Sequence, residues 1–175
     1  NFRINVNGKL PVGVTSKDVI LQIIGKIGTA GGTGHVVEYA GSLISSLSVE
    51  QRMTICNMSI EGGARAGLIE PDQKIFDYLK DKPKSPKNKN WDQAMEYWKS
   101  LKTDSDSKFD KEINLTAEAI SPMVTWGTSP QDVVTIDGKV PNPNNEKDTD
   151  KKNSIERSLK YMGLKTDTLV KDIKI

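Results

Sequence analysis

This chain has almost no cysteine or histidine. Its 175 residues include one cysteine, Cys56, and one histidine, His35. A single thiol excludes an internal disulfide and fits a reducing compartment. One thiol and one imidazole also leave no Cys/His set for a zinc or iron–sulfur site within this chain. They could form a nucleophile–base pair only if the fold brought them together. We expect Cys56, in an apolar-rich helix, to behave as a small buried hydrophobic side chain.

The chain also lacks a long apolar run and an excess of charge of either sign. No apolar run reaches the roughly 18 residues of a membrane-spanning helix. The 25 basic and 23 acidic residues nearly cancel to a net charge of +2, without the clustered basic face that nucleic acid requires. We therefore expect neither a membrane nor a nucleic acid as partner. The length, with 35% apolar and 27% charged residues, fits a single globular domain spanning 1–175.

The order of patterns along the first 40 residues predicts an α/β fold. Residues 2–6 alternate apolar and polar as in a strand, and 35–39 form a second such run. Between them, Thr15 and Asp18 fit a helix-capping box, and an apolar stripe follows as far as Gly28. Strand, helix, strand is typical of a three-layer α/β/α sandwich with a small, mostly parallel sheet.

The rest of the chain divides into shorter predicted elements. We expect helices over 72–80, 91–101 and 154–162. We expect extended segments over 10–14, 111–115 and 123–126, and the beginning of a further strand at 173–175. The segment 141–153 is rich in Pro, Asn and Asp, and we interpret it as a flexible connector. The first residue is Asn1, with neither an initiator methionine nor a signal peptide, which predicts a fragment of a longer chain or a processed one.

A glycine-rich loop, Gly31-Gly32-Thr33-Gly34, allows two interpretations. Its backbone N–H groups could bind an anion. The loop is not a phosphate-binding loop, however, and it precedes a strand rather than a helix. A tight turn, or room for another element to approach closely, is the interpretation we favour.

The most informative stretch is the helix predicted after Ser48, whose capping partner is Gln51. On this helix Asn57 and Glu61 lie four residues apart, about one turn, so both would project from the same face. An amide and an acid aimed at one point could hold a hydroxylated substrate or move a proton. Such a pair is also common on solvated helix faces, and these residues alone leave both interpretations open. The glycine pair Gly62-Gly63 would end the helix or admit a close neighbour.

Several segments together resemble the aconitase superfamily, and they occur in that family's order. They are 25–35, 37–41, 52–67 and 124–130. The resemblance implies an aconitase-like domain of a 4Fe-4S hydro-lyase, in which an open iron of the cluster acts as a Lewis acid. Such an enzyme removes water from a small 2-hydroxy di-acid and adds it back with the hydroxyl on the neighbouring carbon. The resemblance also implies that this domain belongs to a large subunit, which works with a separate small subunit.

The same resemblance assigns roles to particular residues. Asn57 and Glu61 match active-site residues, and Cys56 matches a cysteine that is not a cluster ligand. The segments with the cluster cysteines and the catalytic histidine have no counterpart here. We therefore expect an internal domain of a cytoplasmic enzyme, with no cluster bound and no activity from these residues alone. Two alternatives remain: another 2-hydroxyacid hydro-lyase of the superfamily, and a stand-alone binding domain without chemistry.

Overall fold

The computed structural model describes residues 1–174, which form both strands and helices. The strands are β1 Phe2–Asn7, β2 Val36–Ala40, β3 Ala66–Ile69, β4 Lys111–Thr116, β5 Met123–Thr125 and β6 Val133–Thr135. The α-helices are α1 Ser16–Ile27, α2 Ser42–Ser46, α3 Val49–Asn57, α4 Gln73–Lys80, α5 Lys89–Lys99 and α6 Thr149–Met162. Short 3₁₀ helices cover Met58–Gly62, Ala117–Ala119, Pro143–Asn145 and Val170–Asp172.

A small parallel sheet organises the domain. Its four strands lie in the order β3-β2-β1-β4, and every neighbouring pair is parallel. Phe2 of β1 lies opposite Val37 on one side and Lys111 on the other. Strands β5 and β6 form a separate antiparallel pair. An α/β domain with a small, mostly parallel sheet flanked by helices confirms the fold class expected from the sequence.

The main apolar core lies on one side of this sheet. The inward-facing residues of β1, which are Phe2, Ile4 and Val6, are fully buried. They join the apolar stripe of α1 and Ile55 of α3 in one cluster. The alternation along β1 and the helical spacing along α1 therefore place both apolar faces against each other, as the sequence patterns predict.

The opposite face of the sheet is polar. Arg3 pairs with Glu38 at 3.6 Å, and the Asn5 amide donates to the side-chain oxygen of Asn114 at 3.0 Å. The Thr103 hydroxyl donates to Glu38 at 2.8 Å, and the Arg3 guanidinium lies 5.0 Å from the centre of the Phe109 ring. Parallel strands are usually apolar on both faces. Here hydrogen bonds, an ion pair and the segment 100–110 close the second face instead.

A smaller cluster joins α6 to the β5–β6 pair through Trp126, Val140 and Leu159. The helix begins at Thr149, because the Asp148 carboxylate accepts hydrogen bonds from the N–H groups of Asp150 and Lys151. The prediction that this helix starts at residue 154 is wrong, and the last five residues of the predicted connector 141–153 are helical. Its expected end is confirmed, since Gly163 has a φ of 67°.

Other boundaries differ from the sequence predictions. Residues 10–14 form no strand, because the Val14 N–H closes a turn onto the Pro11 carbonyl and Gly13 has a φ of +86°. The sequence did not reveal β3, β6 or α2. A strand is expected to begin at Ile173, but Ile173 and Lys174 are not in a strand. Residue 175 lies outside the described residues.

Asp18 ties the start of α1 to the entrance of β5. One oxygen of this buried carboxylate accepts from the Thr15 N–H at 2.7 Å and the Thr15 hydroxyl at 2.8 Å. Its other oxygen accepts from the Met123 N–H at 2.8 Å. Burial alone would raise the pKa of Asp18, but the hydrogen bonds from Met123 and Thr15 outweigh it and hold the pKa below its usual value.

Replacing Asp18→Asn should therefore destabilise the chain by about 1–3 kcal/mol near neutral pH, because an amide accepts with one oxygen only. A depressed native pKa gives stability that is present above the unfolded pKa and is lost as pH falls through the native value. Urea unfolding at pH 7 and pH 3 should therefore show a smaller difference between variant and wild type at pH 3. Asp106→Asn, an exposed acid in a loop, is the control, and an equal loss in both variants would contradict this role.

Candidate active site

The helix that carries the candidate residues begins as the sequence predicts. The Ser48 hydroxyl accepts from the Gln51 N–H at 3.3 Å, and the Gln51 side-chain oxygen accepts from the Ser48 N–H at 2.9 Å. This reciprocal capping box fixes the first turn of α3.

The end of the helix differs from the prediction. Helix α3 stops at Asn57, and Met58–Gly62 is a 3₁₀ helix. Residues three apart, rather than four, are aligned in a 3₁₀ helix, so the spacing that would align Asn57 with Glu61 does not continue through this turn. The expectation of one continuous α-helix that carries both Asn57 and Glu61 is therefore wrong. The contacts of Ser59 and the glycine pair, described below, explain the tighter turn.

Asn57 lies at the mouth of an apolar groove. Its exposed side chain borders a cavity of about 320 Å³ whose apolar wall includes Met53, Ile69 and Tyr78. Cys56 lines the same groove, packs against the main core, and has its thiol pKa raised by burial. Cys56 thus behaves as the small hydrophobic side chain expected from the sequence.

His35 makes its contacts with residues other than Cys56. The Nδ1 atom of His35 lies 2.8 Å from the Thr33 carbonyl oxygen, and its ring packs edge-on against Phe2. The nucleophile–base pair that the sequence left open therefore has no support in the geometry of residues 1–174.

Glu61 sits in the 3₁₀ turn with one oxygen shielded from water. The residue is half-buried, and its Oε2 atom is buried with no hydrogen-bond partner among residues 1–174. Leaving a carboxylate oxygen unpaired in a buried position is costly, and native proteins rarely do so without a reason.

Ser59 holds this turn to the centre of the sheet. Its hydroxyl donates to the Ile55 carbonyl at 3.3 Å and lies 2.9 Å from the Tyr39 hydroxyl, which therefore acts as the donor between them. Tyr39 and Ser59 are both buried. Burial, together with the nearby groups Cys56 and Glu61, raises the pKa of Tyr39 to about 12, so the phenol keeps its proton.

Gly62 and Gly63 pack against the glycine-rich loop. The Gly32 N–H donates to the Gly62 carbonyl at 2.8 Å. Gly63 has a φ of +82°, and a Cβ added there would lie 2.6 Å from the Thr29 carbonyl oxygen. Only glycine fits such a backbone approach.

The anion-binding interpretation of this loop is not supported. The N–H groups of residues 31, 32, 33 and 35 all donate to backbone carbonyls within the domain. These donors are therefore not available to an anion, and the favoured interpretation of a close backbone approach agrees with the structure.

The model of the aconitase family, described as aconitate hydratase, matches residues 1–175 of this sequence. The chain belongs to the aconitase family. The resemblance inferred from the sequence segments is thus confirmed at the level of the superfamily, and the domain is that of a family of hydro-lyases. No helix within residues 1–174 is long and apolar enough to cross a membrane.

Aconitase-family enzymes typically carry a 4Fe-4S cluster, and the residues of this chain do not fit one. Such a cluster is held by several cysteine thiolates, whereas this chain has one cysteine, half-buried in an apolar groove. Across residues 1–174, no group of three His, Cys, Asp or Glu side chains could hold a metal ion.

The sequence located the candidate residues but missed those that hold them. Asn57 and Glu61 were singled out from the motif, and their catalytic roles stay predictions. Tyr39 and Ser59 were missed, although Tyr39 occupies an inward position of an alternating strand, where a hydroxyl needs a partner. This inward position was the sequence signal from which a buried hydrogen bond of Tyr39 could have been predicted.

Gly63→Ala should destabilise the chain more than Gly13→Ala. Both glycines have a positive φ, +82° and +86°, but a Cβ at Gly13 would meet no atom within 4 Å. The backbone strain alone costs about 1–2 kcal/mol, and the contact with Thr29 adds to it at Gly63. Urea unfolding of both variants measures the difference. Equal losses of unfolding free energy in the two variants would contradict a close packing of Gly63 against the glycine-rich loop.

Proposed function

We propose that this chain is a domain of the large subunit of 3-isopropylmalate dehydratase, the hydro-lyase of leucine biosynthesis. That enzyme converts 2-isopropylmalate into 3-isopropylmalate by dehydration and rehydration. Membership of the aconitase family supports the reaction class. The motif segments around 25–35, 52–67 and 124–130 are the reason for choosing this enzyme within the family. The buried, unpartnered oxygen of Glu61 is the observation that carries the assignment of the site.

The reaction needs an acid–base group beside the hydroxyl that moves. The hydroxyl leaves one carbon and a proton leaves its neighbour, so that water and an alkene form. Water then adds across the double bond in the opposite sense. A carboxyl group can donate a proton to the departing hydroxyl and accept one from the returning water. Glu61 suits this role, since its turn is fixed at both ends and its Oε2 atom lacks a partner within residues 1–174.

Asn57 would contribute a neutral hydrogen-bonding group. Its amide is exposed at the end of α3, and it can donate to one substrate oxygen and accept from another group. Because Asn57 ends α3 and Glu61 lies in the following 3₁₀ helix, we assign them to separate contacts within the assembled site.

This domain supplies only one wall of that site. We propose that the rest of the large subunit provides the cluster ligands and that a separate small subunit provides further groups that bind a small 2-hydroxy di-acid. The chain on its own should then be inactive. The resemblance to leucine-biosynthesis enzymes and the single cysteine favour the cytoplasm as its location.

Glu61→Gln in the complete two-subunit enzyme tests the site. We expect kcat to fall by about 10²–10⁴-fold, the usual contribution of a general acid or base, while KM changes little. The rate of alkene formation from isopropylmalate is the measurement. Glu156→Gln, an exposed acid on α6, serves as the control. Wild-type turnover in Glu61→Gln would refute the assignment.

A second candidate is an aconitase or homoaconitase-like enzyme, which the description of the matching family as aconitate hydratase favours. Assays of the complete enzyme with 2-isopropylmalate, homocitrate and citrate distinguish these substrates. Turnover of citrate or homocitrate in preference to isopropylmalate would select the second candidate. A stand-alone binding domain would turn over none of them.

A further inference from the structure

We infer that Tyr39 and Ser59 are positioning residues that hold the Glu61 carboxylate in place for the reaction. This inference rests on the proposed function, because it gives Glu61 an acid–base role. Neither residue is assigned a contact with the substrate.

The hydrogen bonds form a chain from the sheet to the turn. The Tyr39 hydroxyl donates to the Ser59 hydroxyl at 2.9 Å, and that hydroxyl donates to the Ile55 carbonyl at 3.3 Å. Ser59 precedes Glu61 by two residues in the same 3₁₀ helix. Any movement of Ser59 would therefore rotate the backbone that carries Glu61.

Tyr39, the residue of the sheet in this series of hydrogen bonds, is held by its surroundings on all sides. Strand β2 has a parallel partner on each side, and Tyr39 lies opposite Ile4 of β1 and Ile69 of β3. Its side chain is 2% exposed and belongs to the main core. The Tyr39 hydroxyl thus provides a fixed reference point beneath the turn.

Beyond Glu61, a second contact completes the support. The Gly32 N–H binds the Gly62 carbonyl at 2.8 Å. Glu61 therefore lies between two residues, Ser59 and Gly62, that are bonded to different parts of the fold. Neither bond uses the Glu61 carboxylate, whose buried Oε2 atom has no hydrogen-bond partner within residues 1–174.

Removing the Tyr39 hydroxyl should loosen the turn without emptying the core. Tyr39→Phe keeps the ring and its packing, and Ser59 keeps its bond to Ile55. The 3₁₀ helix then loses its attachment to β2, and the carboxylate gains freedom to leave its reactive position. Misplacement of a catalytic group by about 1 Å can cost up to about 10²-fold in rate.

The first test compares turnover of variants in the complete enzyme. We expect Tyr39→Phe and Ser59→Ala each to lower kcat about tenfold, with KM changed less than about twofold. The control is Ser158→Ala, which removes another buried serine hydroxyl, one that lies 3.3 Å from Asp132 and Thr128. This control should retain wild-type turnover.

A double-mutant cycle separates positioning from general damage. If Tyr39 acts through Glu61, Tyr39→Phe should cause no further loss of kcat in an enzyme that already carries Glu61→Gln. A residue that merely stabilises the fold would lower kcat by the same factor in both backgrounds. That second result, found for both Tyr39→Phe and Ser59→Ala, would overturn the inference.

A readout independent of activity uses the complete enzyme without substrate. With ¹³C-labelled glutamate carboxyl groups, Glu61→Gln identifies the Glu61 resonance by its disappearance. Tyr39→Phe should shift or broaden that resonance, whereas Ser158→Ala should leave it unchanged. An unchanged Glu61 resonance in both Tyr39→Phe and Ser59→Ala would overturn the inference.

The two proposals fail in different ways. Wild-type turnover in Glu61→Gln removes the proposed function, and the positioning role with it. Low turnover in Glu61→Gln, with Tyr39→Phe and Ser59→Ala as active as the Ser158→Ala control, leaves the proposed function standing and refutes the positioning role alone.

Discussion

The hydrogen bond from the Gly32 N–H to the Gly62 carbonyl joins the two segments on which the candidate site depends. It brings the loop after α1 against the turn after α3, and both segments need glycine to approach so closely. Together with the bond between Tyr39 and Ser59, it places Glu61 in a turn supported from both sides. The parallel sheet and the α1–α3 core are the framework that makes these two contacts possible.

The framework also limits the groups that this domain can offer to a site. The apolar core lies on one side of the sheet, and hydrogen bonds and an ion pair close the other side. The domain offers one acidic group with a buried oxygen and one exposed amide, and no set of metal-binding side chains within residues 1–174. Under the proposed function, chemistry on a hydroxy acid would draw further groups from the rest of the large subunit and from the small subunit.

Much of the fold could be predicted because its signals are local. The capping boxes at Thr15 and Ser48 and the end of α6 at Gly163 involve residues within a few positions of each other. The end of α3 could not be predicted, because the hydroxyl of Ser59 is hydrogen-bonded to that of Tyr39, which lies 20 residues earlier in the sequence. Strand β3, in which exposed and half-buried residues alternate, lacked an apolar pattern to reveal it. For the site, the motif predicts Glu61 and Asn57, but it does not predict the 3₁₀ helix in which Glu61 lies.

The most direct test of this account is a crystal structure of the complete enzyme with a bound, unreactive 2-hydroxy di-acid. The account predicts that a carboxylate oxygen of Glu61 lies within about 3 Å of the ligand hydroxyl, the distance of a hydrogen bond. It also predicts that the contacts of Ser59 and Gly62 are unchanged. A Glu61 carboxylate that is turned away from the ligand and paired with a group of its own domain would contradict it.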